Sequence, residues 1–130
     1  MWHEKKWHKQ LNERKSEMSR EYLPDRRQAE TLDLWHGGRR FHLTVGEYPD
    51  GSPGEVFIHG HTPGSDTDLL GDDIGVLISR LLQYGDDPAS LASGVGRLGN
   101  GTPASIIGAI ADVLVAKARA KLAAVLELAP

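Results

Sequence analysis

Four side chains could do chemistry by holding a metal: Asp33, His42, His59 and His61. Neutral imidazoles and carboxylates are ordinary ligands for zinc and other divalent ions. A metal-dependent enzyme would use them clustered on one face. A second set suits contact rather than reaction. Trp35 and Phe57 are large aromatics, and Arg40 lies close to Trp35 in sequence. Aromatic rings beside a guanidinium are what a binding face uses. Arg26 and Arg27 form a third set, suited to carboxylate or phosphate. Histidine is also tolerated on a solvated strand or at an interface, and that is the plainer reading. No cofactor is therefore expected, and zinc is kept as the alternative.

Other chemistries are poorly supplied. The 130 residues contain no cysteine, so disulfides, thiolate metal sites and thiol catalysis are excluded. No Ser/His/Asp ordering stands out as a nucleophile site. Gly94-Val95-Gly96 and Gly99-Asn100-Gly101 do not follow a strand in a βαβ unit, and no P-loop occurs. Gly64-Ser65 could open a helix toward an anion, but Asp66 and Asp68 occupy the same positive end. No stretch is long and apolar enough to span a membrane, and the charged N-terminus lacks the apolar run of a secretory signal. A cytoplasmic location is the expectation. Residues 1–40 hold 10 of the 15 Lys/Arg and 7 of the 18 Asp/Glu, so the head is basic and the body acidic. Such asymmetry can steer a charged partner.

Strands must position these groups. Thr31 to His36 alternates, with Leu32 and Leu34 on one face. Gly37-Gly38 reads as a two-residue hairpin loop. Arg39 to Tyr48 alternates with Phe41, Leu43 and Val45 on one face, which matches Leu34 with Phe41 and Leu32 with Leu43. Pro49 to Gly54 is a longer turn, and Glu55 to His61 is a third strand with Val56 and Ile58 inward. Asp33 then lies opposite His42, and His42 beside His59 or His61. Trp35, Arg40 and Phe57 share that outer face.

The remainder reads as helix. Residues 1–22 form a charged helix or arm bearing Trp2, Trp7, Leu11 and Met18. Residues 23–130 form a single domain. Ser65 with Asp68 opens a helix that carries Leu70, Ile74, Leu77, Ile78 and Leu81 inward and stops at Gly85. Asp87-Pro88 starts a short helix. A flexible loop at 94–101 leads to Thr102-Pro103, which caps a last helix with Ile106, Ile107, Ile110, Val113 and Leu114 inward. Leu122, Val125 and Leu126 continue that helix's apolar stripe beyond what a small sheet can cover, as a candidate oligomer contact. The fold class is α+β: a three-stranded antiparallel meander with two to three helices on one face, preceded by the charged N-terminal helix.

Several stretches carry a resemblance. Leu23-Pro24-Asp25-Arg26-Arg27, the run from Thr44 to Ile58 (TVGEYPDGSPGEVFI), Gly64-Ser65, Ile78-Ser79 and Leu82-Gln83-Tyr84-Gly85 are similar to the C-terminal accessory (TSCPD-like) domain of adenosylcobalamin-dependent ribonucleotide reductases. The resemblance covers roughly half of the chain, from Tyr22 to Leu91. Ribonucleotide reduction needs a thiyl radical and reducing thiols, which only cysteine supplies. The resemblance therefore implies a non-catalytic binding or regulatory domain, not a reductase. Its partner would be a protein, such as a ribonucleotide reductase or a larger nucleoprotein complex, with nucleic acid as a further candidate. Self-association into a homo-oligomer, most simply a dimer, is expected. One alternative is a small inhibitor or modulator of a larger protein or nucleoprotein machine. Another is the metal-dependent enzyme of the histidine cluster.

Overall fold

A computed structural model describes residues 19–60 and 64–128. The expected N-terminal helix lies, as far as residue 18, outside the described residues. Residues 19–22 are not helical. They pass the end of a later helix, where Glu21 N–H bonds Gln83 C=O.

Three strands follow: β1 (Ala29–His36), β2 (Arg39–Glu47) and β3 (Pro53–His59), in the antiparallel order β1-β2-β3. Gly37 and Gly38 both take positive φ, 60° and 74°, which a type I′ hairpin loop requires. That loop sets the expected register, Leu34 against Phe41 and Leu32 against Leu43. Leu43 and Val45 face Ile58 and Val56 across the second hairpin. The inner faces of β2 and β3 are buried, and Leu32 and Leu34 on β1 are partly so. The third strand starts earlier than expected. Pro53 opens it, a position where the missing N–H costs no ladder bond.

Helix α1 (Asp66–Gln83) has Ser65 as its N-cap, whose hydroxyl accepts from the Asp68 N–H. Gly85 at φ 94° ends it, with Asp86 N–H bonding Leu81 C=O and Gly85 N–H bonding Leu82 C=O. This is a Schellman cap. The helix is turned about its axis relative to expectation. Ile74, Ile78 and Leu82 enter the core, but Leu70, Leu77 and Leu81 are exposed, Leu77 by 64%.

The reason lies on the opposite flank of α1. A sheet edge presents unpaired backbone groups that need cover. Gly71 and Gly75 bring α1 against that edge on β3. A Cβ on Gly75 would stand 3.0 Å from the Val56 carbonyl oxygen. One turn on, the Ser79 hydroxyl accepts from the Val56 N–H at 2.9 Å and pairs with its C=O at 3.2 Å. One turn further, the Gln83 side-chain amide donates to Gly54 C=O at 3.0 Å. This row of two glycines, a serine and a glutamine seats the helix on the strand edge and swings its leucine flank out of the core.

Helix α2 (Pro88–Gly94) is capped by Asp87, and α3 (Ile106–Leu128) crosses the inner face. Phe41, Leu43, Val45, Val56, Ile58, Ile110 and Leu114 form the centre of the core with α1's buried side chains. The start of α3 corrects the sequence reading. Thr102-Pro103 does not cap it, because Thr102 closes a turn on Asn100 Oδ1 and Pro103 bridges to Arg97. The stretch expected to be a flexible loop holds a defined turn. Arg97 there binds both carboxylate oxygens of Asp112, at 2.9 and 2.6 Å. Ile107, expected inward, is more than a third exposed. Leu122, Val125 and Leu126 are exposed, as the length of the helix implied.

Candidate interaction surface on the sheet

The outer sheet face is built from cross-strand rows. One row is Trp35 beside Arg40. The next is Asp33, His42 and His59. The third is Thr31, Thr44 and Phe57, and the last is Ala29, Gly46 and Glu55. Alternation along each strand puts these residues opposite the core positions. The inferred register therefore brings Asp33, His42 and His59 together, and joins Trp35, Arg40 and Phe57 to the same face.

The rows differ in what they do. Thr31 and Thr44 hydroxyls bond each other at 2.8 Å. His42 Nδ1 lies 3.0 Å from Asp33 Oδ1, and both side chains are about half exposed. This contact orients the His42 ring and leaves its other nitrogen toward solvent or a partner. Trp35 is 66% exposed and Phe57 46%. Among the described residues no helix covers this face over Trp35. Beside β3 it borders a groove of about 390 Å³, lined in part by Phe57, His59, Asp72, Val76 and Arg80.

The metal reading finds less. Among the described residues no group of three or more His, Cys, Asp or Glu side chains is placed to hold a metal ion. His61, the fourth proposed ligand, lies outside the described residues.

The arginine pair divides. Arg26 is exposed. Arg27, expected to be free for a partner, is instead engaged by Glu55. Its Nη2 bonds Glu55 Oε2 at 3.1 Å, its Nε bonds the other oxygen, and its Nη1 bonds Pro24 C=O at 2.9 Å. Glu55 raises the Arg27 pKa above its ordinary value. Gly46 makes this fork fit, since the Glu55 side chain crosses the place its Cβ would fill. The chain before β1 is also tied to α1 and to the turn after β2. Glu21 N–H bonds Gln83 C=O at 2.8 Å, Arg20 Nε bonds Gln83 Oε1 at 2.6 Å, and the Tyr48 hydroxyl donates to Glu21 C=O. Burial pushes the Tyr48 phenol up in pKa, with the Glu21 charge adding to it. Sequence reading missed these ties. The one available signal was Ser79 and Gln83, in phase with Gly71 and Gly75 on one helical line.

A family model for the TSCPD domain matches residues 14–117, most of the chain. The chain belongs to the TSCPD domain family. Over 66 residues this TSCPD chain is 44% identical to a vitamin B12-dependent ribonucleotide reductase of Rhodopirellula baltica, and 51% of the chain is covered. It is 41% identical over 66 residues to the enzyme of that name from Agrobacterium fabrum, and 39% to that from Bradyrhizobium diazoefficiens. The match spans only 5–6% of those proteins' length. No solved structure matches the TSCPD chain. No helix among the described residues is long and apolar enough to cross a membrane.

Proposed function

We propose that this TSCPD chain is a non-catalytic binding or regulatory domain that contacts another protein through the outer face of its sheet. The observation that carries the reading is the display of Trp35 and Phe57, with Arg40 beside Trp35, on a face where the core makes no demand for aromatics. Exposed aromatics of this size mark binding surfaces. The lack of cysteine supports the non-catalytic part, since a reductase needs thiols. The partner we favour is a ribonucleotide reductase of the kind its relatives are named for, met in the cytoplasm, with the chain itself a homo-oligomer. The reading needs no cofactor.

The experiment is titration of the full chain into a vitamin B12-dependent ribonucleotide reductase, read by calorimetry. Trp35→Ala with Phe57→Ala should weaken binding at least ~100-fold, as loss of two aromatic anchors does, and leave circular dichroism unchanged. Binding that ignores both substitutions removes the sheet face. No binding to the reductase removes that partner. A short single-stranded oligonucleotide titrated in parallel tests stacking on the same aromatics. A second reading, as a metal-dependent enzyme, has only the contact between Asp33 and His42 behind it, since no three ligands are grouped for a metal among the described residues. Elemental analysis of protein purified without an affinity tag tests it. Stoichiometric zinc lost on His42→Ala would replace the binding-domain reading.

A further inference from the structure

The leucine flank that α1 turns out of the core has the pattern of a helix-pairing seam. Leu70, Leu77 and Tyr84 recur every seven residues, and Leu81 falls between the last two. All four are exposed, by 39–64%. Apolar residues at this spacing form one stripe along a helix and suit a facing helix.

The charges beside the stripe say which helix. Asp73 and Arg80 flank it on one side, also seven residues apart. Neither is in an ion pair among the described residues. On the other flank stand Ile74 and Ile78, which the chain's own core occupies. A parallel partner helix would set Asp73 and Arg80 against that occupied flank. An antiparallel copy of α1 related by a two-fold axis near Leu77 sets like flank against like flank. Asp73 then meets Arg80 of the second copy, and Arg80 meets its Asp73. The same axis places Leu77 against Leu77 and Leu70 against Tyr84. Charges flanking an apolar seam set partner and orientation in paired helices. A closed two-fold interface is the commonest form of self-association.

We infer that the chain dimerises through α1, antiparallel, with the Leu70–Leu77–Leu81–Tyr84 seam at its centre and two reciprocal Asp73–Arg80 ion pairs at its rim. The inference rests on the self-association proposed above but not on the sheet face: its rim reaches the groove beside β3 at Arg80, while Leu77 at its centre does not line that groove. It also differs from a dimer through the end of α3.

The test is sedimentation equilibrium of the full chain and its variants, with circular dichroism confirming that each stays folded. Wild type should be a dimer. Leu77→Lys should weaken the dimer at least ~100-fold, since it puts two like charges at the centre of a desolvated seam. Asp73→Arg and Arg80→Asp should each weaken it about tenfold, and the double exchange should restore most of the loss, because the pairs are then reversed but complementary. A monomeric wild type overturns both self-association and this seam. A dimer indifferent to Leu77→Lys keeps self-association and overturns the seam. Charge exchange without rescue overturns the antiparallel pairing.

Discussion

At the scale of single residues, polar side chains do structural work that their chemistry alone does not announce. Ser79 is buried and serves both backbone groups of Val56. Ser79→Ala should therefore destabilise by about 1–3 kcal/mol, the cost of a buried polar group left unpaired, measured by urea denaturation. Gly75→Leu should be worse than Gly75→Ala, because the helix cannot leave the strand edge without uncovering it. On the inner face Leu43 is fully buried, and Leu43→Ala should cost about 2–5 kcal/mol. His42→Ala, on the outer face, should change stability little. Equal losses at Leu43 and His42 would mean that both sheet faces are buried in the working protein. Asp112 supplies a pH test. Arg97 holds its carboxyl below the ordinary carboxylate range by hydrogen bonding. The pair contributes fully above the ordinary value of about 4 and is lost as pH falls through the depressed folded value. Asp112→Asn should lower the melting temperature slightly near neutral pH, and the gap to wild type should close on acidification.

At the scale of elements, the two hairpins and the ends of α1 follow from local sequence. Gly37-Gly38 fixes a two-residue loop, and alternation then fixes every pairing from Leu32 to Ile58. Ser65 and Gly85 mark the ends of α1 because a hydroxyl and a left-handed residue are what those ends require. Gly85→Ala should cost about 1 kcal/mol, the penalty of a Cβ in left-handed backbone, seen as a lower melting temperature. Which face of α1 is buried was not legible. Leu70, Leu77 and Leu81 suit a core stripe as well as Ile74, Ile78 and Leu82 do. Contact with the edge of β3 chooses between them. The start of α3 was misplaced for a similar reason, since Thr102-Pro103 has the composition of a cap but is used by a turn.

At the scale of the whole molecule, the stretch from Arg20 to Arg27 ties the approach to β1 to both hairpin and helix. Arg20, Glu21 and Arg27 contact Gln83, Tyr48 and Glu55. Removing residues 1–18 should leave far-ultraviolet circular dichroism of the sheet and helices intact. Removing residues 1–28 should lower the unfolding midpoint, because Gln83 then loses its bonds to Arg20 and Glu21 and Glu55 loses Arg27. The alternating strands, the hairpin register, the ends of α1, the missing thiols and the family resemblance were all determined by the sequence by itself. Each depends on neighbours a few residues apart or on residue type alone. The turn of α1 onto the strand edge, the engagement of Arg27 by Glu55 and the exposure of the leucine flank were decided only by the tertiary structure. These depend on groups 23–29 residues apart in sequence meeting in space, where backbone groups left open at a sheet edge outrank the choice among equally apolar helix faces.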